Sequence, residues 1–169
     1  LMQPAQRLFM ENALTAIEDA GYGGDRWYGK KIGVYVGSIG TMEVTSYQHI
    51  IKKMNMTISP TGMFSSGIAG RLSYFMNFTG ESVGLDSACS SSFAALKYAC
   101  GSLKNYECDG AVVGGVQLSI YPDTSEYSVG VESLDGHTKA FDVKADGTGV
   151  SEGVCTIVLK RLSDALSDR

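Results

Sequence analysis

The chain has 169 residues, 44% hydrophobic and 19% charged with only 3 prolines, which suits one globular domain or part of a larger one and excludes a disordered chain. Its 14 Lys and Arg against 18 Asp and Glu leave a formal net charge of −4, which excludes nucleic acid or an anionic membrane surface as the main partner. No apolar run approaches the roughly 18 residues of a membrane span and no signal-peptide succession opens the chain, so a cytoplasmic protein is expected.

From Pro4 to Ala20, Leu8, Phe9, Ala13, Ile17 and Ala20 recur at helical spacing, with Pro4 suited to the first turn and Gly21 to the stop. A loop around Trp27 leads to Ile32–Gly37, I-G-V-Y-V-G, a glycine-bounded apolar run expected to form a strand buried on both faces. Val44 to Lys53 is a weaker helix pattern, followed by a turn segment ending at Gly62. Ser65 to Met76 places Ile68, Leu72 and Phe75 at i, i+4 and i+7, a second helix in which Gly67 and Gly70 permit close packing. Ser82 to Leu85 reads as a strand. Ser90 to Leu103 reads as a helix with Phe93, Leu96, Ala99, Cys100 and Leu103 on one face. Gly110 to Ile120 and Gly153 to Lys160 read as further buried strands, and Tyr121 to Val150, between them, is rich in turn residues. Arg161 to Arg169 opens another helix with nothing after it to pack against, so the chain reads as a piece cut from a longer one.

Strands alternating with helices predict a layered α/β fold around a mostly parallel sheet. Glycine, at 21 residues, is about twice its usual share, so close backbone approaches are expected. The glycine-rich fragments form neither G-x-G-x-x-G nor a Walker A sequence, which argues against a nucleotide site. The four cysteines form no C-x-x-C pair, so neither zinc nor a disulfide framework is suggested. The acidic, glycine-rich stretch from Asp135 to Gly153 lacks the spacing of a calcium loop and reads as structural turns.

Chemistry concentrates at Val83 to Phe93, V-G-L-D-S-A-C-S-S-S-F, where an apolar strand runs into a cysteine flanked by small residues before a helix begins. A sharp strand-to-helix elbow there sets Cys89 at the positive end of the helix, where unpaired backbone N–H groups and the macrodipole favour negative charge. The same N–H groups can form half of an oxyanion hole. A buried structural cysteine, with Ser90 to Ser92 merely capping a helix, explains the pattern too, and both readings stay open. Cys100, Cys108 and Cys155 fall where core packing is expected. Of the two histidines, His49 sits in the weak helix and His137 in a turn, and neither carries the surroundings of a catalytic base, so any partner of Cys89 lies outside this chain.

With these residues in view the chain resembles the β-ketoacyl synthases, and among them the ketosynthase domains of modular polyketide synthases. The resemblance runs through P-A-Q-R-L-F-M-E-N-A-L-T-A-I-E-D-A-G-Y at Pro4 to Tyr22, G-V-Y-V-G at Gly33 to Gly37 and G-R-L-S-Y-F-M-N-F-T-G at Gly70 to Gly80. It continues through D-S-A-C-S-S-S at Asp86 to Ser92, C-D-G-A-V-V-G-G-V at Cys108 to Val116, D-G-H-T-K-A-F-D at Asp135 to Asp142 and S-E-G-V-C-T-I-V-L-K-R-L-S-D-A-L from Ser151. Seven stretches in the family's order make the match specific.

The resemblance implies a thiolase-like fold, of which this chain is most of the N-terminal half: a layered α/β/α unit with a mixed central sheet, a partial domain over residues 1–169 truncated at both ends. It implies that Cys89 accepts an acyl chain from the phosphopantetheine of an acyl carrier protein. A malonyl-type extender then loses CO2 and attacks that thioester, giving a β-ketoacyl chain. The family's two catalytic histidines lie in motifs of the other half. Met63, Phe64 and Ile68 are expected to help line an acyl tunnel, and Ser82 to Leu85 to lie near a two-fold interface of a homodimer. Expected partners are the acyl carrier protein and other polyketide synthase domains, and neither a bound cofactor nor a metal is expected. Cysteine rather than glutamine at 89 argues against a decarboxylase-only variant, and the serine run favours a polyketide over a fatty-acid enzyme. Gln3 and Ala5 depart from the family's D-P-Q-Q opening and bear on a local cap, while His137-Thr138 replaces a frequent Arg-Cys and bears on substrate preference. Competing readings are a non-catalytic half-domain serving structure or dimerisation, a fatty-acid-type synthase, and a cysteine hydrolase on an unrelated α/β fold, which explains the elbow but not the other six stretches.

Overall fold

A computed structural model describes residues 2–57, 59–119 and 130–168, the side chains of 40–43, 45 and 46 excepted. The chain builds α1 (Pro4–Asp19), β1 (Ile32–Gly37), α2 (Gly40–Lys53), α3 (Ser66–Phe75), β2 (Ser82–Leu85), α4 (Ser91–Lys104), β3 (Gly110–Gln117), β4 (Gly153–Leu159) and α5 (Leu162–Ser167). Short 3-10 turns at Pro60–Gly62 and Ala88–Ser90 lead into α3 and α4.

The sheet order is β2-β1-β3-β4. β1 pairs in parallel with both β2 and β3, and β4 closes the other side antiparallel to β3, so the sheet is mixed. β1 is buried at all six positions, as its unbroken apolar run requires of a strand covered on both faces. Alternation along it divides the core. Ile32, Val34 and Val36 pack with Val112 and Val116 of β3 against Phe9 and Ile17 of α1 and Ile68 and Leu72 of α3. Tyr35, Ala111 and Val113 pack on the other face against Ala95, Ala99 and Leu103 of α4. Three layers result: α1 and α3, the sheet, and α4.

Several expectations need correction. In α1 the buried stripe is Ala5, Phe9, Ala13 and Ile17, while Leu8 is half-buried and Ala20, past the helix end, is exposed. In α3, Phe75 points to solvent and Met76 turns inward instead. Gly67 is a true close approach, because a Cβ there would lie 2.6 Å from Gln6 Nε2, but Gly70 faces open space. In α4, Phe93 and Cys100 are exposed, and the small residues Ser91, Ala95, Ala99 and Ser102 meet the sheet together with Leu103. β3 ends at Gln117, with Leu118 and Ser119 beyond the strand; Ile120 and 121–129 lie outside the described residues. β4 is not buried on both faces: Val154 and Val158 pack against the α1 cluster, whereas Cys155 and Ile157 face outward.

Polar contacts fix the periphery. Arg161, at the start of α5, donates to the carbonyls of Leu103 and Cys108, pairs with Asp109 and Asp164, and lies 4.5 Å from the Tyr106 ring. The guanidinium thereby ties the end of β4 to the α4–β3 connection, the fork geometry that suits arginine. Within 130–150 the chain runs through turns: Lys139 pairs with Asp135 and Asp146, and the Ser133 hydroxyl lies 2.8 Å from both of those carboxylates. Among the described residues no helix is long and apolar enough to cross a membrane.

Candidate functional site

β2 ends at Leu85, and over five residues the chain reverses into α4. The turn carries Asp86, Ser87, Ala88, Cys89 and Ser90, and its tightness shows at Ala88, whose φ of +52° lies in the left-handed region that a Cβ disfavours. Asp86 Oδ1 accepts the Ala88 N–H at 3.1 Å. The Ser90 hydroxyl donates back to the Ser87 carbonyl at 2.8 Å and meets the Ser87 hydroxyl at 2.9 Å. Ser91 is buried, and its hydroxyl accepts the Ser87 N–H at 2.9 Å while donating to the Ala88 carbonyl at 2.6 Å. The serines therefore serve the turn. None supplies the side-chain cap to α4 that the pattern suggested, and the N-cap residue Ser90 makes no such bond.

Glycines let the helix sit this close. A Cβ on Gly37, at the end of β1, would lie 2.5 Å from the Ser91 carbonyl carbon and from Ser92 N, and one on Gly115 of β3 would lie 2.2 Å from Ser92 Oγ. The start of α4 thus rests directly on the carboxyl ends of two central strands, where ligands of open α/β sheets bind. Cys89 is exposed there with a free thiol, at the end of the helix where partial positive charge gathers.

The other site candidates distribute differently. Met63 and Ile68 are buried, Ile68 within the α1-facing core, while Phe64 is 58% exposed. The segment lies near β2, since a Cβ on Gly84 would be 3.5 Å from Ser66 Cα. Gln6, fully buried, fastens it by donating from Nε2 to the Phe64 carbonyl at 2.9 Å and accepting from Arg71 Nε. Gln3, at the N-cap of α1, makes no side-chain cap, and its N–H donates instead to the Gly62 carbonyl at 2.9 Å.

His49 and His137 are exposed, His137 in the turn where its backbone N–H donates to Asp135. Cys108 is buried, and burial pushes its thiol up from the ordinary value, the condition of an inert core cysteine. Cys100 and Cys155, expected in the core, are exposed. Among the described residues no group of three or more His, Cys, Asp or Glu is placed to hold a metal ion. A hollow of about 340 Å³ lies at the opposite end of the sheet, where Tyr22, Trp27, Ile32 and Lys160 line it, and it takes in none of the candidate residues.

Serine at 91 and glycine at 37 and 115 were not singled out by sequence reasoning as parts of the site. Their signal was present in the small-residue run D-S-A-C-S-S-S and in the glycines at the end of β1 and within β3, but only the fold brings the two together.

Known proteins similar to this chain match it along nearly its whole length. The family model described as the N-terminal domain of β-ketoacyl synthase matches residues 1–165. The chain is 40% identical over 173 residues to the highly reducing polyketide synthase ltbA of Aspergillus luteorubrus, covering 99% of this chain and 5% of that protein. It is 39% identical over 171 residues to polyketide synthase PksL of Bacillus subtilis, covering all of this chain and 4% of that protein. Among solved structures, the ketosynthase from module 6 of the bacillaene synthase of Bacillus subtilis 168 superposes with a TM-score of 0.85 at 38% identity, over 99% of this chain and 28% of that one. The oxazolomycin ketosynthase domain OzmH KS7 of Streptomyces albus JA3453 gives 0.84 at 32% identity, over 99% of this chain and 30% of that one. The chain therefore spans about a twentieth of these curated relatives and under a third of the solved ketosynthases.

Proposed function

The chain belongs to the β-ketoacyl synthase family, whose N-terminal domain it carries, and on that premise we propose that it supplies the nucleophile of a polyketide ketosynthase, with Cys89 as the acyl acceptor. The observation that carries this reading is the exposed Cys89 on a strained turn at the start of α4. In the first half-reaction the Cys89 sulfur attacks the carbonyl carbon of an acyl thioester on the phosphopantetheine arm of an acyl carrier protein. The new S–C bond forms as the arm's thiol leaves, taking up the proton that Cys89 sheds. In the second, a malonyl-type extender on a carrier arm breaks its C–C bond to the carboxylate and releases CO2. The freed electron pair attacks the Cys89 thioester, a C–C bond forms, and the cysteine sulfur departs and regains a proton. A β-ketoacyl chain is left on the carrier arm.

Residues of this chain contribute in separable ways. The turn presents the sulfur, and the N–H groups of the first turn of α4 stabilise the oxyanion that develops as sulfur adds. The groups that drive decarboxylation come from outside the chain. In this reading Met63, Phe64 and Ile68 help line the acyl path, Phe64 from an exposed position and the other two from buried ones. β2 is an edge strand whose Ser82 and Gly84 are exposed, a surface suited to a second copy of the domain and so to a homodimer. The acyl carrier protein and other polyketide synthase domains are the remaining partners, and the substrates travel on the carrier's phosphopantetheine. Condensation assayed in the full-length protein is expected to vanish in Cys89→Ala. Retained condensation in that variant overturns the reading.

A further inference from the structure

Ala88, the residue before Cys89, is held in a backbone region that an alanine leaves when it is free to do so. Relaxation of that residue would rotate the next Cα–Cβ bond and swing the Cys89 sulfur away from the start of α4. One hydroxyl spans the strained residue and the one before it. Ser91 Oγ accepts from the Ser87 N–H at 2.9 Å and donates to the Ala88 carbonyl at 2.6 Å, so it closes a ring around residues 87 and 88. Ser91 has little room to follow a relaxing turn, because it is 5% exposed and its backbone lies against Gly37 of the central strand. Asp86 holds the Ala88 N–H from the other side, but from an exposed position within the turn itself.

We propose that Ser91 is a positioning residue for acyl transfer: its buried hydroxyl keeps Ala88 left-handed and thereby aims the Cys89 sulfur at the incoming thioester carbon. This rests on the reading of Cys89 as the acyl acceptor, and it assigns Ser91 no contact with substrate. A hydroxyl that only supported the fold would change stability without changing the split between rate and binding, and glycine at 88 would not substitute for it.

The test follows acylation of Cys89 in the full-length protein by peptide mass, with an acyl-pantetheine thioester as probe over a range of concentrations. Ser91→Ala is expected to slow acylation at saturating thioester roughly 10- to 100-fold, the scale of a misaimed nucleophile, while the half-saturating concentration stays put. Ser91→Thr keeps the hydroxyl but adds a methyl at a buried position, so it is expected to recover part of the Ser91→Ala loss. Adding Ala88→Gly to Ser91→Ala is expected to recover most of the loss, since glycine adopts φ +52° without a Cβ penalty. A wild-type rate in Ser91→Ala overturns the proposal, as does a slow variant that neither the threonine nor the glycine change corrects. If Ser91→Ala does not fold, the double variant carries the test, and its failure to acylate while folded is equally fatal. Cys89→Ala is run alongside: acylation at that position's peptide persisting without the thiol would sink the reading of Cys89 itself, a different failure.

Discussion

Gly37 and Ser91 meet backbone to backbone: a Cβ on the last residue of β1 would lie 2.5 Å from the Ser91 carbonyl carbon. The contact joins the central strand to the first turn of α4 with no side chain between them, and so sets how the turn bearing Cys89 stands on the sheet.

Gly37→Ala should therefore displace the start of α4, because the atoms it meets are backbone and have no rotamer to change. A destabilisation of about 1–3 kcal/mol, the usual cost of overpacking, is expected together with a slower acylation of Cys89. Thermal unfolding and the acylation time course check the two effects. A variant with wild-type melting and wild-type acylation would show that the close seat is dispensable.

Arg161 is the second structural test. Its guanidinium reaches the Leu103 and Cys108 carbonyls, Asp109 and Asp164 at once. Arg161→Ala leaves two carbonyls without that donor and should cost about 1.5–3 kcal/mol, read as a lower denaturant midpoint. Arg161→Lys should restore little, since an ammonium has no planar fork to span the set.

The 130–150 turns carry an acid dependence. Lys139 first, then the Ser133 hydroxyl and the His137 N–H, hold the Asp135 carboxyl down at about 2, and Lys139 likewise lowers Asp146. Because the folded values lie below the ordinary carboxylate range, the stabilisation is present above about pH 4 and is lost as pH falls through about 2. A carboxyl-carbon NMR titration should place Asp135 there, and Lys139→Met should move it up. An unchanged Asp135 in that variant would contradict the assigned cause.

Much of this architecture was legible in the chain. The ends of β1 and β2 match expectation because glycine or polar residues interrupt short apolar runs on both sides. The inward face of α4 was not legible, and the reason is size. Periodicity marks Phe93 and Cys100 as apolar, but Gly37 and Gly115 bring the start of α4 so close to the sheet that the small residues Ser91, Ala95 and Ala99 face it there, and a large side chain, Leu103, packs inward only near the far end of the helix. β4 misled similarly: its apolar run suggests burial on both faces, yet within these residues only Val154 and Val158 find the α1 layer. Cys89 stood out by its neighbours alone. The left-handed Ala88 and the two-way hydroxyl of Ser91 did not, because each is a product of how the turn closes in three dimensions.

The central claim, that Cys89 accepts the acyl chain, is met most directly by mass. The full-length protein and its Cys89→Ala variant are incubated with a short acyl-pantetheine thioester, digested, and the peptide spanning residue 89 is weighed. An acyl increment on that peptide, absent from the variant whose fold is intact, is the predicted result. An increment that survives Cys89→Ala, or one that appears only on peptides carrying Cys100, Cys108 or Cys155, would contradict it.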